Sequence, residues 1–436
     1  MASLRDRLEA TLDQIEGGRS GKHVFLKLYH EAARAAADAA DARRNAGVSL
    51  GPLDGAFVSI KDLFDVAGET TTAGSTILRD APAAKADAPV IARLRRAGAV
   101  IIGKTNMVEF AFGGIGLNPH YGTPGSAADP SRASGGSTSG GAVSVGEGTS
   151  EITIGSDTAG SVRIPAAFNG TVGFKPTQKR VPLDGAFPLS YSLDSIGPLA
   201  RTVQDCADAD AVMAGEEPRS LAGRPLAGVR VGLPRGRLFA ETEEAVADAF
   251  ETTLSRLSAA GARIVDHDID DLLAEFAEVT APAWLAGIEA AEVHSGWLAT
   301  RAAEFDPRVQ ARIAKAVATP AHTYIRMLRR RADLVRRMDA RLAPVDVLAL
   351  PTVAIVPPPI APMLTDDELY FRTNLLVLRN TMIGNFFDLT GISLPAPGAA
   401  LPVGFMMLAR NGRDHDLLAI AAAVEKELGS GSSNSF

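Results

Sequence analysis

The sequence predicts an α/β fold, with strands and helices layered about a shared core. Three observations carry this expectation. Strand-like and helix-like stretches alternate along most of the 436 residues. The strand-like runs are short, apolar and bounded by Gly or Pro, as in a buried sheet. No internal repeat and no long linker separates two differently patterned halves, so one large domain is favoured over two, although the length permits either.

In chain order, residues 5–45 are Ala-rich and helix-prone, and the glycines at 51 and 55 interrupt them before the run Phe57-Val58-Ser59-Ile60. That run reads as a strand with Lys61 at its end. Asp87, Pro89, Val90, Ile91 and Leu94 predict a capped helix ending at Gly98, and residues 99–102 a buried strand. A Gly/Ser/Thr-rich region follows from 134 to 170, with a small-residue helix around 141–145 and a short strand around 152–154. Strand, helix and strand return at 229–233, 243–260 and 262–265. Residues 271–342 are mostly helical, as for a cap over the core. A strand at 345–350, a Pro-rich turn at 357–359, a helix near 372–389, a strand at 402–408 and a helix over 416–428 complete the pattern. Residues 430–436 are small and polar and read as a flexible tail.

Composition narrows the function classes. Hydrophobic residues make up 46% and charged residues 22% of the chain, an ordinary balance for a globular protein. A net charge of −7 without a dense basic block gives no pull toward nucleic acid or anionic lipid. The arginines at 329, 330, 331, 336 and 337 read as a solvated helix face. Cys206 is the single cysteine, so no intrachain disulfide forms, and its helical spacing suggests a small core residue. The first 18 residues lack the apolar stretch of a secretion signal, and no run of 18 apolar residues appears, so the expected compartment is the cytoplasm. No metal-ligand spacing appears, and no cofactor is expected.

One motif matches by letters and fails by context. Gly98 to Thr105 fits the pattern of a phosphate-binding loop, G-x-x-x-x-G-K-T. Its four inner residues, Ala-Val-Ile-Ile, have strand composition, and a helix precedes Gly98 where a strand is required.

Amide cleavage by a serine needs a base, a proton path and donors for the developing oxyanion. Seven histidines are present, but no serine sits in a G-x-S-x-G elbow, so no histidine is singled out as base. The dense features are instead Ser134-Gly-Gly-Ser137-Thr138-Ser-Gly-Gly141 and Gly155-Ser156-Asp157-Thr158-Ala159-Gly160-Ser161-Val-Arg163-Ile-Pro165. Both flank predicted core elements, where a loop is seldom idle. From its own segment, Lys61 reads as half of an ion pair with Asp62 or Asp65.

These two stretches, with Val58-Ser-Ile-Lys61-Asp62, resemble the amidase signature hydrolases. The spacing of 24 between Ser137 and Ser161 matches as well, as do Gly103-Lys-Thr-Asn106, Gly173-Phe-Lys-Pro176 and Asp194-Ser-Ile-Gly-Pro198, with a weaker echo in Leu401-Pro-Val-Gly404. The resemblance is strongest over about residues 50–215. It implies a single α/β domain over residues 1–429, a mixed central sheet covered by helices on both faces. It makes Ser161 the acyl-forming nucleophile, Ser137 the proton relay after a cis Gly136–Ser137 bond, and Lys61 the base. Backbone groups of Thr158, Ala159, Gly160 and Ser161 would form the oxyanion hole, with Thr138 supporting Lys61 and Asp157 with Arg163 holding the loop; binding a substrate carboxylate is the alternative role for Arg163. To act as base Lys61 must be neutral, which burial favours.

Thr138, Ala159 and Ser156 stand where the family more often has serine, glycine and threonine, and Glu147-Gly-Thr-Ser-Glu151 is more polar than usual. Substrate specificity is expected from Phe112, Ile115 and Asn118 in the 110–130 loop, from the helical segment and from residues 370–385. The implied partner is a small-molecule amide, with no nucleic acid and no membrane; a homodimer is left open. A glutaminase subunit of a tRNA-dependent amidotransferase and a non-catalytic binding member remain alternatives.

Overall fold

The computed structural model describes residues 3–18, 21–221 and 224–429, so the 430–436 tail lies outside the described residues. Among these, eleven strands form one mixed sheet: β1 Phe25–Leu28, β2 Phe57–Lys61, β3 Val100–Thr105, β4 Ile152–Asp157, β5 Val172–Lys175, β6 Ser195–Ala200, β7 Arg230–Leu233, β8 Arg263–Asp266, β9 Val347–Pro351, β10 Thr390–Pro395 and β11 Gly404–Ala409. Their order is β1-β3-β2-β4-β6-β5-β10-β11-β9-β7-β8. The β3–β2–β4 trio and the β8–β7–β9 trio are parallel within themselves. Antiparallel pairs join them through β6, β5, β10 and β11.

Alternation along β2 and β3 shows why both faces need a helical cover. Phe57, Val100 and Ile102 pack against Leu4, Leu8, Leu12, Ala33, Ala37 and Ala40 of helices Leu4–Glu16 and His30–Asn45. Val58, Ile60 and Ile101 point the other way, into the main core with Val90, Ile91 and Leu94 of helix Pro89–Arg96 and with Cys206. Each Leu, Ile, Val or Phe among them, once fully buried, contributes about 1.5–3 kcal/mol. The period-2 rule therefore puts Ser59 and Lys61 on the Phe57 side, facing helix Ser139–Gly146, where Ser59 Oγ lies 3.0 Å from Ser144 Oγ.

Several expectations are corrected. The stretch 5–45 is two helices with β1 between them. The helix near 372–389 is two, Asp367–Leu378 and Met382–Phe386. Asp87 caps nothing: it accepts Ala67 N–H at 2.9 Å and pairs with Arg95, while Ala88 occupies the cap position. β5, β6 and β10 escaped the sequence reading because Gly and Pro interrupt them, and Pro198 even lies within the central β6. Four of the five clustered arginines are on the surface as expected, but Arg331 is buried, donating to Phe386 O, Asn385 O and Asp388. The polar 147–151 stretch has a physical account in its last residue. Glu151 accepts Phe57 N–H at 2.7 Å and Arg7 at 3.1 Å, tying the first helix to the start of β2.

The strand expected at residues 99–102 is present but starts one residue later and runs three residues farther, as β3 over Val100–Thr105. Lys104 pairs with Asp62 at 3.2 Å, an ion pair inside the protein.

Candidate active site

Two parallel strands end side by side, and the site lies beyond their C-terminal ends, the usual place in an α/β sheet. β2 ends on Lys61 and β4 on Asp157, with Ser161 four residues farther on. The Gly136–Ser137 peptide bond is cis, and Ser137 precedes helix Ser139–Gly146 on the same face as Lys61. Lys61 Nζ donates to Ser137 Oγ at 2.7 Å and to Ser156 Oγ at 2.9 Å. Thr138 N–H donates to Ser161 O at 3.3 Å, which brings the two serine loops together. The structure thus joins the Lys61 and Ser137 side chains directly and brings the Ser161 loop beside them through the backbone.

Lys61 has no exposed surface. Burial pushes its amine down to about 7, against the opposing pull of Asp194 and Asp157. The ion pair its own segment suggested does not form: Asp62 is taken by Lys104 and Thr72, and Asp65 accepts Thr71 at 2.7 Å. Support for Lys61 comes from Ser156, not from Thr138, whose Oγ1 is buried without a hydrogen-bond partner among the described residues. Thr138 lies instead against Gly155, where a Cβ would meet its Oγ1 at 2.5 Å.

The turn after β4 is held from behind. Arg163 and Asp157 are both fully buried, and Arg163 donates through Nη2 at 2.9 Å and Nε at 3.1 Å to the carboxylate. Asn385 adds Nδ2 bonds of 2.9 Å to Asp157 O and Oδ1, and accepts Arg163 Nη2 at 2.7 Å. Burial alone would raise the Asp157 carboxyl, but Arg163 prevails and holds it at about 2. Arg163 Nε and Nη2 are thus engaged by Asp157 and Asn385, and Nη1 lies 3.4 Å from Met406 Sδ.

Asp157 also accepts the N–H groups of Gly160 at 2.8 Å and Val162 at 3.1 Å. Gly160 N–H is therefore turned toward Asp157. The N–H groups of Thr158, Ala159 and Ser161 have no hydrogen-bond partner among the described residues. Gly160 has φ +130°, and a Cβ there would lie 2.1 Å from Thr381 Oγ1, so the turn requires glycine. Thr381 Oγ1 donates to Ala159 O at 2.6 Å, closing the turn from the C-terminal side.

The residues expected to wall the pocket are mostly buried supports. Asn118 Nδ2 donates to Gly74 O and Met107 O at 2.8 and 2.7 Å, and Ile115 has no exposed surface. Phe112 lies beneath the Arg312 guanidinium, which also donates to its carbonyl at 2.7 Å. This loop braces the segment before Ser137: Gly136 N–H donates to Gly114 O and Gly114 N–H to Asn374 Oδ1, both at 2.8 Å. Sequence reasoning passed over Ser156 and Asn385 as site residues. In sequence Ser156 reads only as a departure from the family pattern, and nothing local marks an asparagine 228 residues from its partner.

The amidase family model matches residues 6–418. A 2-amino-5-chloromuconic acid deaminase of Comamonas testosteroni is 38% identical over 410 residues, covering 92% of this chain and 87% of the relative. A glutamyl-tRNA(Gln) amidotransferase subunit of Chloroflexus aurantiacus is 34% identical over 452 residues, covering 96% and 92%. A solved structure described as a crystal structure of amidase superposes with TM-score 0.87 at 33% identity, covering 98% of this chain and 97% of the other.

Proposed function

The chain belongs to the amidase signature family, and on that premise we propose that it hydrolyses a carbon–nitrogen amide bond of a small molecule through an acyl-enzyme on Ser161. The observation that carries this reading is the 2.7 Å contact between Lys61 Nζ and Ser137 Oγ, with Ser161 on the adjoining loop. With Lys61 neutral, the Ser137 hydroxyl passes its proton to Nζ and takes one from Ser161, whose Oγ attacks the amide carbon. The carbonyl oxygen becomes an oxyanion, and the free N–H groups of Thr158, Ala159 and Ser161 lie on the turn that would receive it. Collapse breaks the C–N bond, and the amine leaves with the proton returned through Ser137. Water then attacks the acyl carbon along the same path, releasing the acid and restoring Ser161.

The test is ammonia release from a panel of aliphatic, aryl, dicarboxylic and urea-type amides, with 2-amino-5-chloromuconic acid included because a 38% relative is named for it. Wild type should turn over at least one member, while Ser161→Ala and Lys61→Ala should each lose more than about a thousandfold. Wild-type activity in Ser161→Ala would overturn the reading. A glutaminase subunit is the second reading, favoured by the nearly full-length likeness to amidotransferase subunits. Glutamine hydrolysis appearing only with a partner protein would select it.

A further inference from the structure

Asp194 is a buried carboxylate for which no ion pair exists among the described residues. It lies in the loop before β6, outside the three residues to which the chemistry has been assigned. Its Oδ1 accepts the Thr158 hydroxyl at 2.5 Å, and its Oδ2 accepts the N–H groups of Leu189 and Ser190, each at 3.0 Å. Ser190 Oγ in turn donates to Glu289 Oε2, which also accepts Ser192 N–H at 3.1 Å. Glu289 Oε1 accepts the Tyr324 hydroxyl at 2.6 Å. An unbroken hydrogen-bonded line therefore runs from the helical segment, through Asp194, to the first residue of the turn that carries Ala159 and Ser161.

The charged and titratable groups around this line come from several elements. Lys61 ends β2, Asp157 ends β4 with Arg163 and Lys175 behind it, Glu289 lies on helix Leu285–Val293 and Tyr324 on helix Ala321–Arg341. Asp194 directly precedes Ser195, the sheet partner of Asp157 at the end of β4, and the neighbouring Ser156 accepts Lys61 Nζ at 2.9 Å, so the Asp194 charge acts on that amine. Burial raises the Asp194 carboxyl to about 6, against the hydrogen bonds from Thr158, Ser190 and Leu189. Asp157 is neutralised by its ion pair with Arg163. Asp194 has no such partner, so its charge reaches the lysine with less cancellation.

We infer that Asp194 is a positioning residue of this site: it fixes the oxyanion-facing turn through Thr158, and its unpaired negative charge acts on Lys61. The inference rests on the Lys61–Ser137–Ser161 reading. Its two parts are separable, because one depends on a hydrogen bond and the other on a charge. Removing the charge while keeping an acceptor must make Lys61 easier to deprotonate, so nucleophile activation persists to lower pH. Removing the Thr158 hydroxyl while keeping the charge must impair the turn without moving that pH dependence.

The experiment needs no knowledge of the natural substrate. A fluorophosphonate forms an O–P bond with Ser161 and expels fluoride, and the Ser161 proton follows the Ser137–Lys61 path. The rate of this labelling is read by intact mass as a function of pH for wild type, Asp194→Asn, Thr158→Val and Ser161→Ala. The acidic limb in Asp194→Asn should move down by about one pH unit. In Thr158→Val the plateau rate should fall by about tenfold or more, with the limb unmoved. A folded Asp194→Asn protein with the wild-type limb overturns the charge part and Thr158→Val with the wild-type plateau overturns the hydrogen-bond part; the second arm decides its own part even where the first variant does not fold. A wild type labelled no faster than Ser161→Ala overturns the active-site reading itself, and the inference with it.

Discussion

At the scale of single residues, Lys61 was legible as a residue and not as an environment. Its own segment suggests an ion pair, and only the fold reveals that Lys104 removes Asp62 from reach, leaving the amine to two serine hydroxyls. Burial then brings it down from 10.5 to about 7. A catalytic consequence follows: kcat/KM should rise with pH through about 7, as the neutral amine becomes populated. A stability consequence follows from the same shift. In the unfolded chain the lysine keeps its proton up to its ordinary range, whereas in the folded protein it has lost it well below, so the unfolded state binds more protons between about 7 and 10.5. Stability from this group is therefore fully present above its unfolded value and is lost as pH falls through that window, by about 1.4 kcal/mol per pH unit. Chemical denaturation of wild type beside Lys61→Met isolates the contribution. The difference should move in favour of wild type by about 2–3 kcal/mol from pH 7.5 to 9.5 and stay flat below about 6. A difference independent of pH would mean the amine is not buried as described.

At the scale of elements, the sequence reveals what periodicity can carry and hides what glycine and proline disguise. β2, β3 and β4 and the helices around them were readable because apolar runs met clear breakers. β6 was not, since Ser-Ile-Gly-Pro-Leu-Ala contains both breakers inside a central strand. The turn after β4 was readable as a motif, yet its supporting structure was not. Asp157 is pinned by Arg163 from its own helix but also by Asn385, and Gly160 N–H is drawn to Asp157. The predicted donor at Gly160 was placed by resemblance, which has no access to that local bond. Asp157→Asn would leave the buried Arg163 guanidinium without its counter-charge. It should cost about 3–5 kcal/mol in urea denaturation, and more activity than stability alone explains, because the turn loses its anchor. Asn385→Ala keeps the ion pair and removes amide bonds only, so its cost should be smaller, about 1–3 kcal/mol. Equal losses in the two variants would show that the ion pair does not dominate this anchor.

At the scale of the whole molecule, sheet order explains why a signature confined to about residues 50–215 does not make a site by itself. β5 pairs on one side with β6 and on the other with β10, so the N-terminal strands end against residues nearly 220 positions later. The turn bearing Ser161 is closed by Thr381 and Asn385, and the loop bracing Gly136 by Asn374. Arg331 extends the same dependence to the helical segment, by holding Asn385 O and Phe386 O. Sequence patterning suggested one domain because no linker appeared; the pairing of distant strands supplies a physical reason for cooperative folding, since neither half closes its own sheet edge. A fragment ending at residue 215 would expose the β5 edge and leave Arg163 and Asp157 without Asn385. It should lack a cooperative thermal transition by circular dichroism and should not react with a fluorophosphonate at Ser161, whereas the full chain should melt in one transition and react. A fragment that melts cooperatively and labels at Ser161 would show that the signature segment builds the site without the C-terminal strands.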